Sequence, residues 1–251
     1  MLDFAHAVRV FIEGFTFTKS WTHPFLYESP GENAWRMYDA PRTRKKEDYR
    51  SEELVIFDRT PEETDALSRT VMGGRHRVCF MLRDGQSDTE MRAAFKKLGY
   101  RLMTTEGFFV HGLKSIPAAS EPPVPVVRVT TLHEAEILAN AALRRQILPE
   151  HLTMDPPPMR QYMALEDEQY PVGWVGSVSA AGCGWCHSMF VMEPQRRKGI
   201  GRSLMLRMLQ DDAEAGNQAN VLLASHAGAK LYDAVGYQRL GTLYMYVPPR
   251  K

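Results

Sequence analysis

The stretch Val191–Ser203 reads V-M-E-P-Q-R-R-K-G-I-G-R-S, and this part of the chain decides the fold. The β-branched and aromatic run Trp185–Met192 predicts a strand before it, and the apolar face of Ile200–Glu214 predicts a helix after it. Glycines between them let successive backbone N–H groups turn toward one point, and the helix N-terminus adds partial positive charge. The stretch therefore predicts a pyrophosphate-binding turn made by Arg196, Arg197, Lys198, Gly199, Ile200, Gly201, Arg202 and Ser203.

The turn follows neither of two well-known phosphate-binding patterns. It lacks the G-x-x-x-x-G-K-[ST] spacing of P-loop proteins and the G-x-G-x-x-G spacing of dinucleotide-binding proteins. Taken alone, it is also compatible with an ordinary strand–helix connection whose basic side chains are solvated. The rest of the chain is needed to choose between these two interpretations.

The residues around the turn predict a mixed α/β fold. From Val126 onward, short β-branched or aromatic runs alternate with stretches of helical apolar spacing. This alternation is typical of a mixed sheet with helices packed against it. The predicted strands are 126–130, 162–165, 172–179, 185–192, 221–224 and 237–247, and the predicted helices are 132–146, 200–214 and 227–235.

A second motif follows the turn after one more predicted strand. Ala229–Tyr237 reads A-K-L-Y-D-A-V-G-Y. Together with R-R-K-G-I-G at Arg196–Gly201, it resembles the GNAT superfamily of acyl-CoA-dependent N-acyltransferases, whose signatures are [Q/R]-x-x-G-x-[G/A] and, one residue longer than here, A-x-x-L-Y-x-x-x-G-[FY]. The resemblance covers the chain from about Val126 onward. It implies a mixed, mostly antiparallel central sheet flanked by helices.

The resemblance also implies a cofactor and residues that bind it. The acyl donor would be acetyl-CoA, held in a wedge between two splayed strands. The backbone of Phe190 and Val191 would hydrogen-bond its pantetheine arm. Ser225 stands where many members carry asparagine at the end of the next strand, and its shorter side chain leaves that contact open.

Two residues are candidates for proton transfer. The resemblance implies that Tyr232 protonates the coenzyme A thiolate, since a phenol donates a hydrogen bond at neutral pH; a packing tyrosine is the alternative. His187 is the candidate base because its usual pKa is near 6.5. It lies four residues before Val191, so strand alternation places both on one face. A structural histidine or an ordered water is the alternative base, and Glu166 and Asp167 are weaker candidates.

The run Cys183-Gly184-Trp185-Cys186-His187 has the spacing of a c-type haem attachment site. Here it overlaps a strand that leads into the turn, and a zinc site would need two further ligands. We therefore expect strand residues and no metal. Three cysteines in the chain also argue against a disulfide scaffold.

The first half of the chain repeats part of the second. Phe95–Val110 reads F-K-K-L-G-Y-R-L-M-T-T-E-G-F-F-V, and Tyr232–Val247 reads Y-D-A-V-G-Y-Q-R-L-G-T-L-Y-M-Y-V. Phe95 stands at the place of Tyr232 and has no proton to donate, and no glycine turn precedes it. We therefore expect a degenerate GNAT-like domain at 1–115, a proline-rich linker at 116–125 and a catalytic domain at 126–251.

Composition limits the remaining classes. The chain has 31 Lys and Arg against 30 Asp and Glu, which argues against a nucleic-acid partner. No long apolar segment or signal peptide is visible, so we expect a cytoplasmic protein without a membrane partner. The prediction is an acetyl-CoA-dependent N-acetyltransferase that acts on a primary amine of a small molecule or peptide in a ternary complex. A non-catalytic acyl-CoA-binding or regulatory module is the alternative, and a homodimer is left open.

Overall fold

A computed structural model describes residues 2–41, 50–118, 121–167, 169–225 and 228–249 of the chain. These residues form seven helices and eleven strands, without counting one short 3₁₀ turn at Glu193–Gln195. In chain order they are α1 (Phe4–Lys19), β1 (Phe25–Gly31), β2 (Ala34–Asp39), β3 (Glu52–Phe57), α2 (Pro61–Val71), β4 (His76–Arg83), α3 (Thr89–Lys97), β5 (Arg101–His111), β6 (Val126–Arg128), α4 (Leu132–Ala142), α5 (Pro149–Thr153), β7 (Met159–Glu166), β8 (Tyr170–Ala180), β9 (Cys183–Val191), α6 (Ile200–Glu214), β10 (Asn220–Ala224), α7 (Ala229–Ala234) and β11 (Gln238–Val247).

The chain divides into two compact units, each made of separate pieces of sequence. The first unit comprises residues 1–14, 110–222 and 228–238, and the second comprises 15–109, 223–227 and 239–251. The proline-rich segment at 116–125 therefore lies within the first unit. The three sequence domains expected above remain a proposal.

The first unit is a mixed sheet with helices packed against it. Its strand order is β10-β9-β8-β7-β6. The strands from β6 to β9 pair antiparallel, and β10 runs parallel to β9. Helix α6 has the bounds that its apolar spacing predicts, and it buries Leu204, Met205, Met208 and Leu209. The mixed sheet predicted for this part of the chain is confirmed.

A buried polar network ties α6 to this sheet. The carboxylate of Asp212 accepts hydrogen bonds from Arg160 Nη2 at 2.6 Å, Ser177 Oγ at 2.8 Å and Asn220 Nδ2 at 2.6 Å. The Asn220 side-chain oxygen in turn accepts from the Tyr237 hydroxyl at 2.5 Å. All five residues are buried. Because a buried charge needs several partners, the network fixes α6 against β7, β8 and β10.

The strands of the second unit follow the order β1-β2-β3-β4-β11-β5. Strands β1, β2 and β3 pair antiparallel, and β3 and β4 pair parallel. Most of the last strand of the chain, β11, lies in this unit, where it pairs antiparallel with β4 from Gly241 opposite Arg83 to Tyr246 opposite Val78. In sequence, Thr60 followed by Glu63 predicts a helix over 61–69 that begins with a capping box. The structure confirms it, since Thr60 Oγ1 accepts from the Glu63 N–H and Glu63 accepts from the Thr60 N–H.

The internal repeat predicted from the sequence has matching geometry in the two units. The rings of Tyr232 and Tyr237 lie 5.8 Å apart in an edge-to-face arrangement, and those of Phe95 and Tyr100 lie 5.3 Å apart in the same arrangement. In each case the later tyrosine donates its backbone N–H to the carbonyl five residues earlier. The intervening glycine has a positive φ, 94° at Gly236 and 84° at its counterpart in the second unit.

Some predicted bounds are wrong. The helix expected over 132–146 ends at Ala142, because Leu143 takes the left-handed conformation with a φ of 53°. In sequence, the aromatics Trp21, Phe25, Tyr27, Trp35 and Tyr38 are candidates either for lining a substrate cleft or for core packing. Phe25 is buried and Trp35 stacks on Phe57, as core packing expects. No helix in the described part of the chain is long and apolar enough to cross a membrane.

Candidate active site

Strands β9 and β10 pair over a short distance only. Asn220 lies opposite Gly184 and Val221 lies opposite Trp185, and the remaining residues of β9, as far as Val191, have no register with β10. Two parallel strands that stop pairing leave backbone N–H and C=O groups of β9 without strand partners on that side. This is the wedge that the resemblance implies, and Phe190 and Val191 lie in its unpaired part.

A β-bulge bends β9 just before these two residues. Trp174 pairs with Phe190 and Gly176 pairs with His187, so Val175 alone faces two residues of β9. Ser188, inside the bulge, has a φ of +54°, which is uncommon for a residue with a side chain. The extra residue re-aims the strand at this point.

The bulge overturns one expectation from the sequence. Strand alternation places His187 and Val191 on the same face, but the extra residue shifts the alternation by one. His187 therefore shares its face with Phe190, whose ring stacks on Trp174 at 4.7 Å. Val191 faces α6 instead. Its side chain lies 3.6 Å from the position that a Cβ would take at Gly201 of α6, and 3.3 Å from the corresponding position at Gly173 of β8.

The predicted turn connects β9 to α6. Arg197 has a φ of +64° and Gly199 has a φ of +88°, so left-handed residues alternate with others along the turn. This alternation is the backbone pattern that turns neighbouring N–H groups toward a shared anion. The first N–H groups of α6, beginning at Ile200, have no acceptor within the helix. The turn therefore fits a pyrophosphate.

The side chains of the turn leave several charges at its surface. Arg196 Nε donates to the Val191 carbonyl at 3.0 Å, and its guanidinium lies 5.9 Å from the Phe190 ring. Lys198 Nζ donates to Gln195 at 2.7 Å. No ion pair with an acidic side chain of the described residues neutralises Arg196, Arg197, Lys198 or Arg202. Gly201 lies at the start of α6, where an added Cβ would crowd Met189 at 3.1 Å and Leu231 at 3.3 Å.

Tyr232 lies on α7 and is 7% exposed. Burial, with the nearby Cys186 thiol as a smaller cause, raises the pKa of Tyr232 well above its usual value. The phenol is therefore protonated at neutral pH. It has the proton that its predicted role requires.

His187 lies on β9 with its Nε2 atom buried. Its Nδ1 lies 3.1 Å from Ser188 Oγ. Burial, together with the positive charge of Arg144, lowers the pKa of His187 to about 4. The imidazole is therefore neutral at pH 7 and able to accept a proton.

The structure adds a polar residue that the sequence interpretation missed. Gln161 on β7, Gly176 on β8 and His187 on β9 lie side by side across the sheet. A Cβ at Gly176 would collide with Gln161 Oε1 and His187 Nε2, so the glycine makes room for both. Gln161 is fully buried, and neither atom of its amide has a partner among the described residues. Gln161 lies in a stretch of mostly apolar strand residues, and the sequence alone does not show that its side chain lies beside His187.

The other candidates lie apart from this arrangement. Ser225 is exposed directly after β10, in a segment that belongs to the second unit, so its cofactor contact stays a prediction. Glu166 accepts from Gln195 Nε2 at 2.6 Å at the surface. Cys183 and Cys186 are buried in β9, where burial raises the pKa of both thiols. No group of three metal-ligating side chains occurs among the residues that the structure describes.

Comparison with known proteins identifies the domain that carries this site. The family model described as an acetyltransferase (GNAT) domain matches residues 158–239, which include β7 to β10, the turn, α6 and α7. These residues form a GNAT domain. No curated protein sequence matches the chain.

Solved structures extend the likeness in fold beyond the GNAT domain itself. A GCN5-related N-acetyltransferase from Kribbella flavida superposes with a TM-score of 0.65 at 13% identity, covering 100% of this chain and 98% of that one. A GCN5-related N-acetyltransferase from Sphaerobacter thermophilus gives 0.56 at 16% identity over 87% and 78% of the two chains. A conserved protein of unknown function from Staphylococcus epidermidis gives 0.58 at 14% identity over 94% and 98%. The second unit therefore shares the fold as well.

Proposed function

We propose that the protein is an acetyl-CoA-dependent N-acetyltransferase whose acceptor is a primary amine of a small molecule or peptide. The observation that supports this most directly is the combination of the open β9–β10 wedge with the turn that follows β9. The wedge leaves strand backbone available for an extended polar chain, and the turn aims backbone N–H groups and basic side chains at one place. A long donor with a pyrophosphate at one end fits both features.

Each part of the donor has a proposed partner. The pyrophosphate would be held by Arg196, Arg197, Lys198, Gly199, Ile200, Gly201, Arg202 and Ser203, through backbone N–H groups and side-chain charges. The backbone of Phe190 and Val191 would bind the pantetheine arm. When bound, acetyl-CoA supplies an acetyl group activated as a thioester. Ser225 is retained as a further hydrogen-bonding candidate.

Proton movements are assigned to Tyr232 and His187. Tyr232 is protonated at neutral pH, so it is suited to donate a proton where a thiolate is released. His187 is neutral at pH 7, so it is suited to accept the proton that an attacking ammonium group must lose. Because burial and Arg144 lower its pKa, His187 is a weaker base than a free imidazole and would hold that proton only in transit. The buried amide of Gln161 lies beside it, without a hydrogen-bond partner among the described residues.

The experiment measures thiol release from acetyl-CoA with the full chain against a panel of acceptors. The panel contains simple alkylamines, polyamines, amino acids and short peptides with a free N-terminus. We expect turnover with one of these classes and none without an acceptor. Binding of acetyl-CoA without turnover on any acceptor would instead support a non-catalytic acyl-CoA-binding module.

A further inference from the structure

A cavity of about 920 Å³ lies in the second unit, away from any residue assigned to the acetyltransferase site. It is formed by the end of α2, the loop and first residues of β4, the first residues of β5 and the residues that follow β11. Its volume is within the range of about 300–1,000 Å³ that is usual for small-molecule sites.

The cavity carries an excess of positive charge in a chain that is almost neutral overall. Four arginines line it, and Asp65 is its one acidic residue. Arg69 Nε pairs with Asp65 at 2.8 Å. Among the described residues, no acidic side chain forms an ion pair with Arg75, Arg77 or Arg101. Arg77 points elsewhere, since its Nη1 donates to Met245 Sδ and its charge acts on the buried Glu53 carboxyl. Arg75 and Arg101 are therefore the two arginines at this cavity without an acidic partner among the described residues.

The first unit contains a cavity of similar size in the equivalent place. It measures about 890 Å³ and is formed by the end of α6, the loop before β10, the first residue of β11 and the residues that follow β5. When Met72, the residue after α2, is aligned with Ala215, the residue after α6, the loops that follow the two helices align without a gap. The cavity is thus a product of the shared fold, and its existence alone implies no ligand.

The two cavities differ in charge at equivalent positions. Aligned from the helix ends, Arg75 corresponds to Gln218. Aligned on the Gly-Tyr pairs, Arg101 corresponds to Gln238. Two neutral amides that line the first cavity thus stand where the second has two arginines, so the fold does not require the positive charges.

Other lining residues give the arginine cavity an ordered polar wall and an apolar wall. His76 Nδ1 donates to the Gly74 carbonyl at 2.8 Å, and His76 Nε2 lies 2.8 Å from Ser68 Oγ. Met72, Met103 and Pro248 supply apolar surface. An arginine fork matches the oxygen spacing of phosphate and carboxylate groups, and several together select multiply charged anions.

We propose that this second-unit cavity binds a small organic anion with at least two negative charges, carried by phosphate or carboxylate groups. Arg75 and Arg101 bind the charged groups, and the methionine side chains contact the apolar part. The site is separate from the acetyltransferase site and does not depend on the function proposed for it.

The test follows methionine methyl NMR signals of the full chain during titration with pyrophosphate and, separately, with citrate. The signals of Met72 and Met103 report on this cavity alone, so anion binding at the β9–α6 turn is recorded separately. We expect saturable shifts of both signals with at least one probe. A response to pyrophosphate indicates a phosphate-bearing ligand, and a response to citrate indicates a carboxylate-bearing one.

The decisive variant transfers the neutral residues of the first unit: Arg75→Gln and Arg101→Gln. Affinity at the Met72 and Met103 signals should fall by at least about tenfold. A control with Lys96→Gln and Lys97→Gln loses the same charge outside this cavity and should stay within about twofold. If the double variant does not fold, exposed Arg101→Gln alone should weaken binding measurably. Absence of shifts with both probes, or unchanged affinity in the arginine variants, would overturn the proposal.

Discussion

Equivalent strand pairs behave differently in the two units. In the second unit, β3 and β4 stay in parallel register over six pairs, from Glu52 opposite His76 to Phe57 opposite Met81. In the first unit, β9 and β10 share two pairs and then separate. The first unit therefore has an open wedge, whereas the corresponding backbone groups of the second unit bond each other.

The connections that follow these strands differ in the same sense. After β9, eight residues with two positive φ angles, at Arg197 and Gly199, lead to α6. After β3, three residues, Asp58 to Thr60, lead to α2 and contain no glycine. A short connection capped by a threonine side chain satisfies its own helix N-terminus. The two units thus share a fold, but only the first leaves backbone groups of these elements available for a ligand.

The largest expected effect concerns the buried Asp212 network of the first unit. Asp212→Ala removes the carboxylate that binds buried Arg160, so we expect the free energy of unfolding to fall by about 3–5 kcal/mol. The control Asp58→Asn removes the charge of an exposed pair with Arg83 in the second unit, keeps a residue suited to the φ of 51°, and should cost less than about 1 kcal/mol. Denaturant unfolding measures both. Equal losses of unfolding free energy in the two variants would show that the buried network stabilises the fold no more than an exposed ion pair does.

The next largest effect is expected at Tyr232, whose counterpart in the second unit is Phe95. Tyr232→Phe removes the proposed proton donor without changing the ring, so we expect the turnover rate to fall by about 100-fold with little change in acetyl-CoA affinity. Adding Phe95→Tyr restores a phenol at the equivalent place in the second unit and should recover no activity. Steady-state kinetics and calorimetry separate the two quantities. An unchanged rate in Tyr232→Phe would remove its role as the acid.

A smaller effect is expected for the base. Because the pKa of His187 is lowered to about 4, the residue is neutral from pH 5.5 to 8, and no inflection near 6.5 should arise from it. We expect His187→Ala to lower kcat/KM by about tenfold across that range. The measurement is a pH profile of both proteins. An inflection near 6.5 that disappears in the variant would contradict the lowered pKa, and identical profiles would remove His187 as the base.

Both units contain elements that could be predicted because their signals are local. The bounds of α6 follow from apolar spacing and from the glycines at its start, and the helix after Thr60 follows from its capping box. The bulge at Ser188 has no local signature, so the side on which His187 lies was predicted wrongly. A bulge depends on pairing with β8, and pairing is a long-range property.

The ends of the chain show the same limit. Helix α1 was not predicted, although Asp3 caps it by accepting from the His6 N–H at 3.2 Å. It buries Val8, Phe11 and Ile12 through packing that the sequence does not reveal. Strand β11 was predicted, but its pairing with β4 in the second unit was not. The residues of β11 favour a strand but do not specify which strand it pairs with, because that choice depends on packing across the whole fold.

The central claim is that only the first unit binds the acyl donor, and its most direct test is a calorimetric titration with acetyl-CoA. The titration is also run in the cavity variant Arg75→Gln, Arg101→Gln, so that binding of the donor's phosphates there is counted separately. Gly199→Val places a branched side chain at a φ of +88° in the turn, and Gly85→Val does the same at +78° in the second unit. We predict one molecule bound per chain in the cavity variant, an affinity about 100-fold weaker with Gly199→Val, and no change with Gly85→Val. Two molecules per chain in the cavity variant, or binding that survives Gly199→Val, would contradict the account.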